Sequence, residues 1–437
     1  MPWIARLIAL MALTTCTLAT PSVAQDVSSG EVEEVKQSPL EEKAEQVVAY
    51  INGEKEAENV FASSFLKVLP PDQIKSFAQG LTDQFGPALS VHKLDPKTGT
   101  RASYDLRFER GIARGGIAID PADDNKVSEL VFRSVEPVPV EGDSIKEIRA
   151  DLEALPGTIS AYFGPLDGDM PALSLNADTP LALGSTFKFY VLAALGKQVA
   201  DGERKWDDIV PLSTASFPSG MLQDYPEGAP ITLHTYASMM ISISDNTATD
   251  QLMLELGRDT VFETFKATAH ATPELSAPFI TTRELFLLKG GTKNRLETYA
   301  NGTLEERENI LEAIEINPPT QAEIFAAFSG KPVRIDVEWL SSANDLLNMF
   351  EYMRLTADPD VFEIMSINKG IGDEYLKNWS YVGHKGGSEP GVRNLTWLLT
   401  DANGVDHVLT LGWNNPDDDV DTAVLLGFAQ RLLLLLH

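Results

Sequence analysis

The segment Leu183-Gly184-Ser185-Thr186-Phe187-Lys188-Phe189-Tyr190 carries a serine and, three residues later, a lysine. It continues into apolar residues 191–195, which predict a buried helix with Ser185 and Lys188 in its first turn. Residues three apart share a helix face, so Ser185 Oγ and Lys188 Nζ can meet. The N–H groups of a helix N-terminus also favour a developing oxyanion. Because a desolvated lysine can deprotonate a serine, we predict a nucleophile, Ser185, and its base, Lys188.

Composition and net charge indicate a globular protein and argue against some classes of binding partner. The chain has 437 residues, enough for two or three domains, and its 43% hydrophobic and 23% charged residues are typical of a globular protein. Its 64 acidic and 35 basic residues give a net charge of −29, which repels nucleic-acid phosphates and anionic lipids. We therefore predict no nucleic-acid partner. Since no cluster of histidines or cysteines argues for zinc, we also predict no metal and no cofactor.

The N-terminal residues 1–24 predict a secretory signal. Residues 7–13 are apolar, and small residues at 22–24 offer a cleavage site before Gln25. The alternative is a lipoprotein signal ending at Cys16, although a threonine is a poor match before that cysteine. After cleavage at Gln25 the chain would hold no cysteine, and therefore neither a disulfide nor a thiol nucleophile. With no other stretch long enough to span a membrane, we predict a periplasmic or secreted protein.

The remaining sequence predicts two domains. Residues 25–40 are acidic and lack an apolar period, which indicates a linker. Helical spacing followed by strand-like runs predicts a small α+β domain at residues 41–139. The second domain, at residues 144–437, has strands at both ends and a mostly helical middle, so we expect one sheet split in sequence and covered by helices. The predicted strands are residues 88–94, 101–108, 111–119 and 127–135 in the first domain and 157–163, 171–175, 379–384, 394–399 and 408–413 in the second.

Two further segments support a catalytic reading of Ser185. Ser244-Asp245-Asn246 is rare by chance, and its ordinary interpretation is an N-cap for the helix that follows. Lys385-Gly386-Gly387-Ser388 places a lysine on a strand that ends in paired glycines, which allow a ligand to approach backbone N–H groups. The alternative for this segment is a plain exit from a strand into a turn. We name Ser185-x-x-Lys188 the first motif, Ser244-Asp245-Asn246 the second and Lys385-Gly386-Gly387-Ser388 the third.

The order of these motifs resembles the signature set of class A β-lactamases and penicillin-binding proteins. Residues 220–223 and 281–285 are similar to the flanking segments of that family, and the resemblance covers residues 144–437. It implies a mixed antiparallel sheet flanked by a mostly helical subdomain. The triplet Lys97-Thr98-Gly99 also matches a family motif, but it precedes the serine, and we predict a hairpin turn there.

The resemblance implies a role for each motif residue. Ser185 would attack a carbonyl and become acylated, Lys188 would take its proton, and Ser244 would relay a proton to the leaving group. Asn246 would hydrogen-bond the substrate amide and Lys188, and Lys385 would attract a substrate carboxylate. The remaining predicted binding residues lie on the third motif, where backbone N–H groups would bind the developing oxyanion together with that of Ser185; they are Gly387 and Ser388.

Two positions depart from the family pattern. Gly386 stands where relatives carry a hydroxyl residue, so one contact to a substrate carboxylate is lost unless Ser388 replaces it. Class A enzymes activate the deacylating water with a loop glutamate, and Thr272 occupies that place here. Glu274 could substitute only if the loop is rebuilt; otherwise it is an exposed loop acid.

Three functions therefore stay open: a periplasmic active-serine hydrolase of β-lactams, an esterase or D-Ala-D-Ala-type peptidase, and a penicillin-binding sensor that stays acylated. The domain order also resembles esterase-like relatives from clavulanic-acid biosynthesis and mycobacterial lipoproteins, whose front domain is an NTF2-like, steroid-isomerase-type cone. A Ser-His-Asp hydrolase is disfavoured because no Gly-x-Ser-x-Gly surrounds Ser185. His384 lies beside Lys385 and could approach the cleft, but we favour a structural role for it beside its strand. We expect a monomer that acts on a small molecule.

Overall fold

The computed structural model of the protein describes residues 37–316 and 318–435. The predicted signal, with Cys16, and most of the predicted linker lie outside these residues. The chain divides into two compact units between Val140 and Glu141. Within the described ranges, no helix has both the length and the apolar character that crossing a bilayer requires.

The first unit consists of helices followed by an antiparallel sheet. Its first helix starts with a capping box between Ser38 and Glu41 and buries the apolar face predicted from the sequence. The sheet is a meander in the order β1-β2-β3-β4, in which each strand pairs with its neighbour in sequence. The elements are α1 (Pro39–Ile51), α2 (Ala57–Val60), α3 (Ser63–Val68), α4 (Pro71–Phe85), β1 (Ala88–Thr98), β2 (Arg101–Phe108), β3 (Gly111–Asp120) and β4 (Lys126–Pro137).

The hairpin between β1 and β2 differs in detail from the prediction. Strand β1 includes Lys97 and Thr98, and the turn itself is Gly99-Thr100. Lys97 forms an exposed ion pair with Asp95 at 2.5 Å, which suits two residues whose side chains lie on one face of a strand. The triplet is thus the end of a strand and its turn. The resemblance of this unit to an NTF2-like cone stays a prediction.

The second unit is built on a sheet that joins the two ends of its sequence. Its strands are β5 (Thr158–Pro165), β6 (Leu173–Leu175), β7 (Leu181–Ala182), β8 (Ile209–Pro211), β9 (Pro230–Thr232), β10 (Leu340–Ser341), β11 (Trp379–Glu389), β12 (Val392–Asp401) and β13 (Asp406–Asn414). The main sheet has the antiparallel order β11-β12-β13-β5-β6, so the predicted split sheet is confirmed. Short ladders join β7 to β10 and β8 to β9.

Helices surround this sheet. They are α5 (Ile145–Glu153), α6 (Lys188–Ala200), α7 (Leu233–Ser242), α8 (Asn246–Leu256), α9 (Arg258–Ala267), α10 (Thr282–Lys289), α11 (Lys293–Asn301), α12 (Leu304–Ile314), α13 (Gln321–Ala327), α14 (Ala343–Thr356), α15 (Asp360–Ser366) and α16 (Thr422–Leu435). Together with the sheet they form the mixed fold that the resemblance implied.

Helix α6 is the centre of the core. Every residue from 188 to 196 is buried, as expected of a helix that is apolar on all sides. The ring of Phe187, just before the helix, stacks on Trp339 with centroids 3.6 Å apart. Phe189 and Tyr190 make edge contacts with aromatic rings of α14 and α9. The helix that carries the first motif is therefore held rigidly on several sides.

A glycine lets α6 pack closely against the chain around α15. A Cβ at Gly196 would lie 2.4 Å from Val361 Cγ1 and 3.0 Å from Ala357 Cβ. Substitution Gly196→Ala should therefore destabilise the second unit, because overpacking costs about 1–3 kcal/mol. The higher helix propensity of alanine offsets about 1 kcal/mol of this cost. The measurement is urea unfolding followed by tryptophan fluorescence, since five of the six tryptophans follow residue 140.

The matched control is Gly427→Ala in α16. A Cβ there meets no atom within 4 Å, so the same substitution should stabilise the protein by up to about 1 kcal/mol. Equal unfolding midpoints for the two variants would contradict the close packing described at Gly196.

Candidate active site

The three motifs meet at one cleft. The turn Gly184–Phe187 is a short 3-10 helix that leads directly into α6, and Ser185 is its half-buried member. A cavity of about 310 Å³ opens beside it. The motif residues that line this cavity are Ser185, Ser244, Asn246, Gly386, Gly387 and Ser388. Sequence positions more than 200 residues apart are thus brought to one site, as the motif order predicted.

Strand β11 lies directly against the backbone of the nucleophile turn. A Cβ on Gly387 would lie 1.9 Å from Leu183 O and 2.6 Å from Ser185 N, while one on Gly184 would lie 2.5 Å from Ser388 N. Only glycine allows backbones to approach so closely. The backbones that carry the Ser185 and Ser388 N–H groups therefore face each other across a fixed gap, the arrangement required of a donor pair for an oxyanion.

The third motif lies within a strand and not at its end. Strand β11 continues through Lys385 to Glu389, and residues 385–389 pair in register with β12. The sequence prediction of a strand ending at residue 384 was wrong, because paired glycines alone do not stop a strand whose partner supplies the ladder hydrogen bonds.

Lys188 is buried beneath the cleft and bound by the second motif. Its Nζ donates to Ser244 O at 2.7 Å, Ser244 Oγ at 3.1 Å and Asn246 Oδ1 at 2.8 Å. Among the described residues, no hydrogen bond joins Lys188 Nζ to Ser185 Oγ, so the direct pair expected from helix spacing is not formed. Lys188 Nζ is held instead by the three oxygen atoms of the second motif. Burial, and then the charge of Lys385, hold the pKa of Lys188 well below its ordinary value.

Ser244 is held in a left-handed turn between α7 and α8, with φ of 60°. Asp245 caps α8 by accepting from Ala248 N at 2.8 Å, as predicted. The same carboxylate accepts from the backbone N–H groups of Met221 and Leu222, which fixes the neighbouring loop. These bonds hold the strained conformation that points the Ser244 hydroxyl into the cleft.

Lys385 approaches the same hydroxyl from the opposite side. Its Nζ donates to Ser244 Oγ at 3.1 Å and to Gly386 O. Burial lowers the pKa of Lys385 to about 7. One serine hydroxyl therefore contacts two lysines whose burial favours the neutral amine, and a neutral amine can accept a proton. Neither lysine is among the residues that line the cavity, whereas Ser244, which contacts both, is.

Thr272, which occupies the place of the loop glutamate, and the nearby Glu274 both lie outside the cleft. Glu274 is an exposed residue of the 3-10 turn Pro273–Ser276. The Thr272 N–H donates to His270 Nδ1 at 3.2 Å, and neither Thr272 nor Glu274 lines the cleft. The interpretation of Glu274 as an exposed loop acid is confirmed.

His384 has the structural role that was favoured from the sequence. Its ring stacks on Trp397 at 4.5 Å, and its Nδ1 is 2.9 Å from Thr396 O. Burial, and then the charge of Lys385, lower the pKa of His384 to about 3, so the ring stays neutral. It is not among the residues that line the cleft.

The cleft is lined by two acids that sequence reasoning missed, Glu338 and Glu389. The Glu338 side chain lines the cavity beside Trp339, and an ion pair between Lys289 and Glu389 lies next to it. No local pattern marks Glu338, because the contacts that place it in the cleft come from segments far apart in sequence. Within the described residues, no group of three or more His, Cys, Asp or Glu side chains is arranged to hold a metal ion.

Comparison with known proteins gives one family and several structural likenesses. The chain matches the model of the Beta-lactamase enzyme family over residues 143–423. It is similar to a beta-lactamase from Sphaerobacter thermophilus at 19% identity, covering 66% of this chain and 94% of that one with a TM-score of 0.46. It is also similar to PBP-A (17%, covering 67% and 94%, TM-score 0.45) and to a beta-lactamase from Desulfarculus baarsii (15%, covering 68% and 99%, TM-score 0.46). No curated protein matches the chain.

The close approach at Gly387 predicts that alanine substitutions at Gly387 and at the adjacent Gly386 have very different effects on the reactivity of Ser185. Gly387→Ala should push β11 away from the Ser185 turn and slow the reaction of Ser185 with a fluorophosphonate probe by about 10²-fold, the usual effect of a misplacement near 1 Å. Labelling rates at equal probe concentration, read by intact mass, make the comparison.

Gly386→Ala is the control, because the nearest atom to its Cβ is the movable Leu395 Cδ2 at 3.2 Å. That variant should react within a few-fold of the parent protein. Equal labelling of the Gly387→Ala variant and the parent would contradict the fixed gap described here.

Proposed function

The chain belongs to the beta-lactamase enzyme family, and we propose that it is an active-serine hydrolase that opens β-lactams through an acyl-enzyme. The observation that carries this proposal is the position of the Ser244 hydroxyl between Lys188 and Lys385, in the cleft that exposes Ser185. Such an arrangement supplies a proton acceptor and a proton relay beside a nucleophile. The predicted signal at residues 1–24 supports a periplasmic location.

Acylation begins with removal of the Ser185 proton. Lys188, as the neutral amine favoured by its burial, accepts this proton directly or through the hydroxyl of Ser244. Ser185 Oγ then bonds to the substrate carbonyl carbon, and the ring C–N bond breaks as Ser244 passes a proton to the nitrogen. The hydroxyl of Ser244 is suited to this relay because it contacts both lysines.

Separate residues bind the oxygen of the reacting carbonyl, the substrate amide and the substrate carboxylate. The N–H groups of Ser185 and Ser388 receive the oxyanion, and Gly387 permits the spacing between them. Asn246, which holds Lys188 through Oδ1, offers its side-chain amide to the substrate. The charge of Lys385, behind the Ser244 hydroxyl, attracts a substrate carboxylate to that side of the cleft.

One observation favours a second candidate, an esterase of uncharged substrates. Gly386 supplies no hydroxyl for a carboxylate, and the cleft wall includes apolar side chains. Phe286 and Phe328 form part of this wall, with ring centroids 4.4 Å apart. A hydrophobic acyl or alcohol group fits such a wall better than an anion does.

Covalent labelling distinguishes these functions from a non-catalytic role. Penicillin and an activated ester, each mixed with the protein, should give a covalent adduct or turnover, and Ser185→Ala should abolish both because the acceptor oxygen is gone. The measurement is intact mass against time. Ser380→Ala, an exposed serine at the start of β11, is the control and should behave as the parent. Hydrolysis that survives Ser185→Ala would refute the proposal.

The pKa of Lys385 predicts how the reaction depends on pH. Because this pKa is about 7, Lys385 is charged below pH 7 and neutral above it. The value of kcat/KM for the anionic penicillin should therefore fall as pH rises through about 7, while a neutral ester should show no such loss. A penicillin profile that does not fall between pH 7 and 9 would contradict the role of Lys385 in binding the carboxylate.

A further inference from the structure

We propose that Glu338 is the general base that activates water to release the acyl group from Ser185. This proposal rests on the function proposed above, since it needs an acyl-enzyme to act on. The family position for such a base holds Thr272, which lies outside the cleft. Glu338 comes instead from the segment just before β10 and lines the cleft together with Ser185.

The position of Glu338 is tied to the nucleophile turn by backbone contacts. Strand β10 pairs with β7, and the N–H of Leu183 donates to Trp339 O at 3.0 Å. The carboxylate of Glu338 accepts from Trp339 N at 2.9 Å and interacts with the backbone N–H of Gly184. Gly184 immediately precedes Ser185, and consecutive Cα atoms lie about 3.8 Å apart. Glu338 is therefore anchored one residue away from the nucleophile.

One carboxylate oxygen of Glu338 is buried and accepts no hydrogen bond of normal geometry. Oε2 accepts the Trp339 N–H, whereas Oε1 is buried and has no hydrogen-bond partner among the described residues. The residue as a whole is only 4% exposed. Buried polar atoms are nearly always paired, and an exception in a cleft indicates a site for a ligand or water. Because Oε1 is closed off from solvent in this structure, the proposed water reaches it from the cleft that Ser185 also lines after a shift of the Glu338 side chain.

The charges around Glu338 suit a base that works near neutral pH. Burial, and then the charge of Glu389, raise the pKa of Glu338 to about 8, although the ammonium of Lys289 opposes this. Lys289 and Glu389 form a buried ion pair of their own. On the other side, Arg307 and Asp336 line a small cavity that Glu338 also borders. A carboxylate with a pKa close to the working pH is an effective proton acceptor.

The proposed step conserves atoms and charge. Glu338 takes one proton from water as the water oxygen bonds to the acyl carbon, and the carbonyl oxygen becomes the oxyanion. When this intermediate collapses, the bond between the acyl carbon and Ser185 Oγ breaks. The proton passes from Glu338 to Ser185 Oγ, which restores the hydroxyl and releases the acid.

The test compares Glu338→Gln with the parent and with Glu274→Gln, the exposed acid that lies outside the cleft. Penicillin and the activated ester are the probes, and intact mass follows formation and decay of each adduct. Glu338→Gln should acylate within a few-fold of the parent but deacylate about 10²–10⁴-fold more slowly, the usual contribution of a general base. Glu274→Gln should deacylate as the parent does.

Two further readouts separate a base from a residue that merely shapes the site. The deacylation rate of the parent should rise as pH increases through about 8, and this rise should be absent in Glu338→Gln. Hydroxylamine, which needs no general base, should remove the acyl group from the variant and so show that the adduct is accessible in a folded site. The parent profile needs no variant, so it tests the proposal even if Glu338→Gln does not fold.

The outcomes are distinct. Deacylation of Glu338→Gln at the parent rate, or a parent rate that does not change between pH 6 and 9, would overturn the role of Glu338 alone. Neither adduct nor turnover on the parent with both probes would overturn the proposed function, and the role of Glu338 with it. A stable adduct on Glu338→Gln that hydroxylamine removes supports both.

Discussion

The contact between Gly387 and the backbone of the Ser185 turn is the constraint on which the site depends. It brings β11 so close to the turn that no side chain fits between them. Because β11 belongs to the main sheet and the turn opens α6, this contact also fixes the sheet relative to the central helix. Because α6 is rigidly packed in the core, the position of Ser185 depends on the packing of the whole second unit.

The site also contains several ionisable side chains that are buried. Lys188, Lys385, Lys289, Glu338 and Glu389 are all buried around one cleft. Burial disfavours the charged form of each, and pairing offsets this only for Lys289 with Glu389. For the other three, burial lowers the pKa of both lysines, to about 7 for Lys385, and raises the pKa of Glu338 to about 8. The stability lost by burying these groups keeps them near the protonation states that proton transfer requires.

Local sequence pattern predicted most of the fold and most of the site. The helix of the first motif, the cap formed by Asp245 and the split sheet follow from spacing and residue type, and the structure has them. Three features could not be predicted, namely the continuation of β11, the hydrogen bonds of Lys188 to Ser244 and the position of Glu338, whereas the resemblance implied the hydrogen bond between Asn246 and Lys188. Each of the three depends on partners far away in sequence, and no local pattern records which distant groups will be neighbours.

The topology of the two sheets has a consequence for how the chain folds. In the first unit every strand pairs with its neighbour, so that sheet can form from local hairpins as the chain emerges from the ribosome. In the second unit β5 pairs with β13, and Thr186 contacts Lys385, 199 residues later. The Ser185 turn therefore lacks its contact with β11 until residues 379–389 have been synthesised. A nascent chain that stops before β11 would carry Ser185 without the glycine contact that fixes the backbone of its turn.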